Sequence, residues 1–265
     1  MAHDVALTPG SALAALREMH PLVHCITNRI ANTLTANILL AVGASPCMAD
    51  VPGEAERLTP SAGGLLINVA SASGDRARAS LRSVRAAEEA GVRWVLDPVG
   101  AGTIANDDLV DALVRLHPTV LRGNPSEILA LDGRPHGGRG VDATDLPDAA
   151  ARAATRLALQ DGCAVAVSGP EDLLTDGERT VRVRNGTDLL PLVTGSGCAL
   201  GGLMAAFLSL PFSALEAAVA ATALLTVAGE RAAARSAGPG SFAVQLLDEL
   251  HAVTPDQLDE EVHLA

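Results

Sequence analysis

Short apolar runs that read as strands alternate with longer runs that read as helices, and this alternation is the strongest constraint on the fold. Buried parallel strands need a crossover connection, usually a helix, between one strand and the next. The strand-like runs cover residues 21–26, 64–71, 92–100, 119–124 and 163–169. The helix-like runs cover residues 29–42, 75–90, 107–116, 126–131 and 147–161. This order predicts an α/β fold with a mostly parallel central sheet and helices on both faces.

The last third of the chain departs from this alternation. Asp176-Gly177 lies between two strand-like runs within residues 173–183, which predicts an antiparallel hairpin. Residues 197–229 are very apolar, but Pro211 interrupts them. Because a membrane span needs about 20 consecutive apolar residues, this segment predicts two buried helices instead.

No segment reads as a linker, so the sequence predicts one domain over residues 1–265. A last helix is expected at residues 241–250, followed by an acidic tail at about 256–265. Residues 132–146 combine glycine with charged side chains, which is typical of a mobile loop. The first residues lack a basic segment followed by an apolar core, so no signal peptide is expected.

Charge and composition exclude several classes of function. The formal net charge of −12 argues against a nucleic-acid-binding protein, which needs a basic face. All 19 basic residues are arginines, so lysine Schiff-base chemistry and a P-loop lysine are excluded. Phosphate contacts must therefore come from arginine, backbone N–H groups or a metal ion. Aromatic residues make up only 2% of the chain, so a planar ligand would contact mainly aliphatic side chains and backbone.

The four cysteines, Cys25, Cys47, Cys163 and Cys198, form no C-x-x-C pair. A clustered zinc site is therefore not expected, and free thiols in a reducing cytoplasm are the simplest interpretation. Cys25 and Cys163 lie in predicted strands and read as structural, whereas Cys47 is expected on a loop near the functional site. His24, inside the first strand, reads as a packed and hydrogen-bonded core residue.

Polar residues gather where the predicted strands end. The residues at these ends are Asn28, Asp97, Arg122, Asn124, Ser168 and the run 194–197. In parallel sheets, ligands bind outside the carboxyl ends of the strands. The sequence therefore predicts a ligand site at this edge of the sheet.

Most of these residues have two readings. Asp97, followed by proline, suits either an oxygen ligand for Mg²⁺ or a carboxylate that orders its own turn. Arg122 suits a bidentate phosphate contact. Asn124 and Glu127 have the spacing of a helix capping box, but beside an arginine they also suit a metal–phosphate site. Ser168 is either a ligand contact or an ordinary turn residue.

The stretch VTGSGCALGG, residues 193–202, reads as a strand that enters a helix through Gly195, Ser196 and Gly197. Such a turn directs backbone N–H groups towards an anion. Cys198 then falls in the first helical turn, as a nucleophile, a base or a small residue that fits. The helix dipole favours its thiolate, whereas burial among apolar neighbours opposes it.

Taken together, five segments resemble the hydroxyethylthiazole kinase family of the ribokinase-like superfamily. They are residues 21–50, 95–102, 118–131, 176–202 and 238–250, in the family's order over almost the whole chain. The TN…AN…GASP…MAD pattern within the first segment is not shared by sister kinases of the same fold. The resemblance implies that ATP phosphorylates the hydroxyl of 5-(2-hydroxyethyl)-4-methylthiazole, in thiamine biosynthesis or salvage.

The resemblance also implies partners and ligands. Mg²⁺ would accompany ATP, and the protein would be a cytoplasmic homotrimer with each active site at a subunit interface. No nucleic-acid or membrane partner is implied. Residues implied at the thiazole are Met48, Gly195 and Asn28, those at ATP are Arg122, Ser168 and Asn124, and those at the metal are Asp97 and Glu127.

The glycine turn and Cys198 complete the implied site. Gly195, Ser196 and Gly197 would form an anion hole for the transferring phosphoryl group. Most ribokinase-like enzymes carry an aspartate at the Cys198 position, where it takes the hydroxyl proton. This chain resembles the thiazole kinases in having a cysteine there. Hydroxymethylpyrimidine or pyridoxal kinases and NAD(P)H-hydrate dehydratases, which are the rival enzymes of this fold, predict aspartate.

One departure from the family's pattern follows Asn68. The family usually reads Gly-Thr there, whereas this chain reads Val69-Ala70-Ser71. The sequence therefore does not decide whether these residues contact the nucleotide or the substrate. The departure permits a second alternative, a non-catalytic relative kept for ligand binding, although Asp97 and the glycine turn argue against it.

Overall fold

The computed structural model describes residues 8–133 and 147–265. Eight strands in these residues form one sheet in the order β2-β1-β3-β4-β5-β6-β7-β8. The strands are β1 Leu22–Ile26, β2 Ser45–Cys47, β3 Gly64–Asn68, β4 Arg93–Asp97, β5 Val120–Gly123, β6 Ala164–Val167, β7 Asp172–Thr175 and β8 Thr180–Val183. The five strands predicted between residues 21 and 169 are present as β1, β3, β4, β5 and β6, and the predicted hairpin is present as β7 and β8.

Each of the six neighbouring strands β2, β1, β3, β4, β5 and β6 pairs with the next in parallel. Strand β7 then pairs antiparallel with both β6 and β8. Helices cross over between the parallel strands, as this pairing requires. The helices are α1 Pro9–Met19, α2 Asn32–Ala41, α3 Ala55–Leu58, α4 Gly74–Ala90, α5 Asp107–Val114, α6 Pro125–Leu131, α7 Pro147–Asp161, α8 Ser196–Leu208, α9 Ala214–Ala234, α10 Pro239–Ala252 and α11 Pro255–Glu261. Two short 3₁₀ turns cover Thr59–Ser61 and Leu190–Leu192.

The two faces of the sheet carry separate hydrophobic clusters, because successive strand residues point to opposite faces. On one face, Leu66 and Val95 pack with residues of α1, α2, α8, α9 and α10. On the other face, Leu65 and Leu96 pack with residues of α4, α5, α6 and α7. The predicted class, a mostly parallel sheet with helices on both faces, is confirmed.

Residues 45–47 correct the expectation that Cys47 lies on a loop. They form the edge strand β2, in parallel register with β1 so that His24 faces Cys47. A three-residue strand that contains proline shows no alternation for a sequence pattern to detect. Of the loop expected at residues 132–146, only the first two residues fall within the described part of the chain.

The expected acidic tail at about 256–265 is instead largely ordered secondary structure. Thr254 and Gln257 form a capping box that starts α11, and Leu258 is fully buried. Beyond α11, Ala265 exchanges two backbone hydrogen bonds with Arg182, of 2.8 and 3.0 Å, so the segment extends the β8 edge of the sheet. Acidic residues on the exposed face of α11 account for the misleading composition.

The apolar segment at residues 197–229 forms two helices, α8 and α9, as predicted. α9 is long and apolar enough to cross a membrane by length and composition, but 78% of its most apolar stretch is buried inside the protein. Its apolar character is therefore explained by packing in the core.

The backbone of helix α8 packs directly against the backbone of β3, because Gly64 has no side chain. A Cβ atom at residue 64 would come within 2.0 Å of the carbonyl oxygen of Ala205. Backbone cannot move aside as a flexible side chain can, so the close approach of β3 and α8 depends on this glycine.

We predict that Gly64→Ala lowers the free energy of unfolding by about 1–3 kcal/mol, since overpacking at a rigid contact is destabilising. Chemical denaturation followed by circular dichroism measures the change. Gly240→Ala is the matched control, because a Cβ at Gly240, in the first turn of α10, meets nothing within 4 Å. Equal stability of the two variants would contradict the packing argument.

Candidate active site

Asn68 and Asp97 lie side by side at the carboxyl ends of β3 and β4, where residue 68 is the register partner of residue 97. Nδ2 of Asn68 donates a hydrogen bond of 2.6 Å to Oδ2 of Asp97. Both residues are fully buried. The parallel register thus brings two polar side chains from separate strands into one buried pair.

Arg122, at the end of β5, joins Asp97 to Ser168, which follows β6. Nη1 of Arg122 donates to Oδ1 of Asp97 at 3.4 Å, and Nη2 donates to Oγ of Ser168 at 3.0 Å. The Nε atom is buried and has no hydrogen-bond partner among residues 8–133 and 147–265. A buried donor of this kind is costly unless a further group completes it.

Asn28 links the buried pair of Asn68 and Asp97 to Cys198. Its Nδ2 donates to Oδ1 of Asn68 at 3.2 Å and to Sγ of Cys198 at 3.4 Å. Its Oδ1 accepts from the N–H groups of Ile30 and Ala31, both at 3.0 Å, which fixes which way the amide points. A continuous chain of hydrogen bonds therefore connects the thiol to the buried carboxylate through two amides.

Glu127 closes a capping box at the start of α6. Its N–H donates to Oδ1 of Asn124 at 2.9 Å, and the N–H of Asn124 donates to Oε2 of Glu127 at 2.8 Å. Oε1 accepts from the N–H of Gly100 at 2.8 Å, in the turn that follows β4. The capping reading is thus confirmed for both residues, and the ATP contact of Asn124 stays a prediction.

The glycine turn starts α8 as predicted, but a 3₁₀ turn, Leu190–Leu192, leads into it in place of the expected strand. Gly195 adopts the left-handed conformation (φ 92°), and a Cβ there would lie 3.0 Å from Cα of Ala31. Ser196 is engaged within the turn, since its N–H donates to the carbonyl of Val193 at 3.2 Å and its hydroxyl donates to that of Leu190 at 2.8 Å. Ser196 therefore contributes no open N–H group to an anion hole.

The open donors of the turn belong to the next two residues. The N–H groups of Gly197 and Cys198 have no acceptor within the described parts of the chain. The Arg122 guanidinium packs on Gly197, where a Cβ would lie 3.0 Å from Nη2. Backbone donors and a buried positive charge thus converge at one point, which is what an anion site requires.

A cavity of about 630 Å³ opens beside this anion site. Arg122, Ser168 and Asp172 line it together with two segments of the chain, residues 184–188 and residues 193–197. Leu200 and Leu225 supply apolar surface. This size, with a few convergent polar groups, is typical of a small-molecule site.

Met48 follows the edge strand β2 and packs, half-buried, against the core cluster that contains α8. The next residue is held by His24, whose Nε2 lies 2.8 Å from the carbonyl oxygen of Ala49 and must donate to it. Nδ1 of His24 lies 3.0 Å from Oγ1 of Thr59. Burial lowers the pKa of His24, and the reading of this residue as a hydrogen-bonded core histidine is confirmed.

Two residues of the site were not singled out from the sequence. Asn68 ends an apolar strand and was noted only as a position before a departure, although a polar residue at such a strand end is the signal used for Asp97. Asp172 starts β7, accepts from the N–H of Gly169 at 2.9 Å and lines the cavity. Burial raises its pKa to about 6, against which the Gly169 N–H and Arg122 act.

The departure at residues 69–71 touches the site through backbone alone. The N–H of Ala70 donates to Oδ1 of Asn68 at 3.1 Å. Any residue except proline supplies that N–H, so the altered side chains leave this contact intact.

Comparisons with known proteins identify the family of this chain. A family model described as "HK: Hydroxyethylthiazole kinase family" matches residues 13–256. This chain belongs to the hydroxyethylthiazole kinase family. A hydroxyethylthiazole kinase from Clavibacter sepedonicus is 50% identical over 261 residues, covering 97% of this chain and 95% of the relative. One from Cereibacter sphaeroides (strain ATCC 17025 / ATH 2.4.3) is 46% identical, covering 96% and 97%.

Solved structures agree on the fold. A hydroxyethylthiazole kinase from Pyrococcus horikoshii OT3 superposes with a TM-score of 0.89 at 33% identity, covering 97% of this chain and 98% of that one. The ADP complex of Bacillus subtilis pyridoxal kinase superposes with a TM-score of 0.60 at 17% identity, covering 80% and 92%. The second likeness shows a shared ribokinase-like fold.

Asp97 and Glu127 of this hydroxyethylthiazole kinase family member suit a divalent cation. Burial raises the pKa of both Asp97 and Glu127, and the Asp97 charge raises that of Glu127 further. Arg122 only partly offsets these effects. Among the described residues no group of three or more His, Cys, Asp or Glu side chains gathers. One or two carboxylates, with water and phosphate oxygens completing the shell, are the usual protein contribution to a Mg²⁺ site.

Cys198 is held as a thiol. Burial raises its pKa to about 11, and the negative charge of Asp97 raises it too, whereas Arg122 and the amides of Asn28 and Asn68 lower it. At pH 7 a group with that pKa is ionised in about one molecule in ten thousand. Burial and the adjacent carboxylate therefore outweigh the helix dipole.

We predict that alkylation of Cys198 by iodoacetamide accelerates with a midpoint near pH 11, because only the thiolate reacts. Mass spectrometry of the Cys198 peptide, sampled over time at each pH, gives the rate at this residue alone. The same peptide in denatured protein is the control and should show a midpoint near the ordinary value of about 8.5. A midpoint below pH 8 in the folded protein would contradict this account.

Proposed function

We propose that this protein transfers the γ-phosphoryl group of ATP to the hydroxyl of 5-(2-hydroxyethyl)-4-methylthiazole, in thiamine biosynthesis or salvage. The observation that carries the proposal is Cys198 in the first turn of α8, hydrogen-bonded through Asn28 to the Asp97 network. Related kinases of other specificity carry an aspartate at that position. A cysteine at this position therefore distinguishes the site from those of other kinases of the same fold and matches the hydroxyethylthiazole kinase family.

The cavity beside the anion site is proposed to hold ATP. Its apolar surface suits the nucleobase, and Arg122 and Ser168 in its lining suit the phosphates. Nε of Arg122, which has no partner among the described residues, could donate a hydrogen bond to a phosphate oxygen. The open N–H groups of Gly197 and Cys198 would then face the negative charge that develops on the transferring group.

Asp97 and Glu127 are proposed to hold Mg²⁺, directly or through water. When bound, the ion would neutralise phosphate charge. Each carboxylate oxygen keeps a lone pair beyond its present hydrogen bond, so the network need not break to admit a ligand. Asn68 keeps the Asp97 carboxylate from rotating, which preserves the direction of that lone pair.

The thiazole alcohol is proposed to lie near Met48, Asn28 and Gly195. The Asn28 amide can reach a hydroxyl beside Cys198 without reorienting, because its oxygen is fixed by two backbone N–H groups. The chain contributes alignment and charge stabilisation, which account for most of the catalysis of phosphoryl transfer.

Cys198 is proposed to be a weak participant in proton transfer. A thiol with a pKa of about 11 is not an effective base at neutral pH. In a loose transition state the nucleophile forms its bond late, so the hydroxyl proton can leave late as well. Charge on the transferring group then matters more than a strong base.

We further propose one catalytic domain over residues 1–265, a cytoplasmic location without nucleic-acid or membrane partners, and a homotrimer with interface active sites. Ile30 and Val51, two and three residues after Asn28 and Met48, are 74% and 53% exposed. Large apolar side chains exposed beside a site support an interface there. The net charge of −12 supports the absence of a nucleic-acid partner.

We predict ADP release from Mg-ATP when the thiazole alcohol is the acceptor, and at least about a hundredfold less with hydroxymethylpyrimidine or pyridoxal. A coupled assay with the three acceptors side by side measures this, and omission of Mg²⁺ should abolish turnover. Absence of thiazole-dependent turnover would refute the proposed activity. Sedimentation of the same preparation tests the assembly, because an active monomer excludes an obligatory interface site.

We predict that Cys198→Asp keeps or raises kcat, while Cys198→Ala and Cys198→Ser lose less than about tenfold. The reason is that the thiol is protonated, whereas a general base is worth about 10²–10⁴-fold. Steady-state kinetics at saturating substrates measures kcat. Near-total loss in Cys198→Ser would show an essential base, and a trapped phosphocysteine would overturn the mechanism.

A further inference from the structure

One wall of the cavity is fixed by residues distant from the reacting groups. Asn185, only 2% exposed, lines the cavity and uses all of its amide for support. Its Nδ2 donates to Oε2 of Glu230 at 2.8 Å and to the carbonyl of Glu261 at 2.9 Å, and its Oδ1 accepts from the N–H of His263 at 2.7 Å. A buried amide with every bond made holds its loop in one geometry.

Glu230, near the end of α9, holds the next residue of the wall as well. Its Oε1 accepts from the N–H of Gly186 at 2.8 Å, so the two carboxylate oxygens bind two successive wall residues. The preceding Gly229 lets the wall pack closely, since a Cβ there would lie 3.2 Å from Cδ1 of Leu190. Leu190 and Gly186 both line the cavity.

The segment after α11 locks this arrangement from behind. The N–H of Arg184 donates to the carbonyl of His263 at 3.0 Å, beside the two bonds between Arg182 and Ala265. Oε1 of Glu261 bonds Nη1 of Arg231 at 2.7 Å, which ties the end of α11 to α9. The wall lies outside any helix or strand, so these contacts supply its order.

We propose that Glu230 is a positioning residue for nucleotide binding, acting through Asn185 and Gly186 with the support of residues 261–265. The proposal rests on the assignment of the cavity to ATP. Charge-assisted hydrogen bonds to the carboxylate are strong and directional. Their loss would let the wall move by a fraction of an ångström or more, and a misplacement of about 1 Å can cost 10²-fold at a site.

A purely structural role for Glu230 makes a different prediction, and Glu249 provides the matched control. Glu249, in α10, is 1% exposed and also binds α9, through Arg231 and Arg235. It contacts no residue of the cavity wall through these bonds. Its partner Arg231 also bonds Glu261, which supports the wall, but that bond is kept in Glu249→Gln. Glu249→Gln should therefore lower the melting temperature and weaken nucleotide binding less than Glu230→Gln does.

The test is isothermal titration with a non-hydrolysable ATP analogue on the full chain and on Glu230→Gln, Glu230→Ala and Glu249→Gln. We expect the dissociation constant to rise about threefold in Glu230→Gln, which keeps one acceptor, and about tenfold or more in Glu230→Ala. The KM for ATP should follow it. The KM for the thiazole alcohol should change less than twofold, since Met48 and Asn28 lie outside the wall.

An unchanged dissociation constant in folded Glu230→Ala overturns the inference, and so does an equal weakening in Glu249→Gln at the same loss of melting temperature. If Glu230→Ala fails to fold, Glu230→Gln, which has the same volume, decides alone. A wild-type protein that binds the analogue but does not phosphorylate the thiazole alcohol refutes the proposed activity. The role of Glu230 is then still decided by the dissociation constants of the variants. A wild-type protein that binds no analogue refutes the inference.

Discussion

Arg122 brings a positive charge into a position that is only 9% exposed, at the point where three strands and the start of α8 meet. Burial alone would lower the pKa of its guanidinium, but the surrounding acidic groups, Asp97 foremost, raise it overall. The charge is therefore permanent, and the network of Asp97, Ser168 and Gly197 is arranged around it. Without it two buried carboxylates would face each other with no cation, which costs several kcal/mol.

Much of the fold was predictable because alternation of apolar runs is a strong signal. Parallel strands buried on both faces must be apolar, and the crossovers between them must be helical, so the sequence restricts the topology to few choices. The strand-end rule then identified Asn28, Asp97, Arg122 and Ser168, which the structure brings into one connected network. Spacing alone could not show that Asn68 completes it.

Two elements that the sequence did not predict, β2 and α11, were missed for different reasons. β2 is three residues long and gains its order from pairing with β1. α11 carries a capping box, Thr254 to Gln257, which was visible in the sequence but was outweighed by acidic composition. The engagement of the Ser196 N–H with Val193 depends on a preceding 3₁₀ turn. The balance that leaves Cys198 protonated depends on its distance from Asp97 and Arg122, which spacing does not give.

The glycines of α8 have a consequence for the order of folding. A Cβ at Gly201 would lie 2.8 Å from Leu66, and one at Gly202 would lie 2.9 Å from Thr35, so an alanine at either position, although it would favour a helix, would force its neighbour to shift. With several glycines, α8 is a poor helix in isolation and gains its stability from tertiary packing. It therefore forms together with the sheet that it packs on, and the open N–H groups at its start exist only in the assembled core. The proposed phosphate site is for that reason a property of the whole folded domain, and it forms only once β1, β3 and β4 have paired.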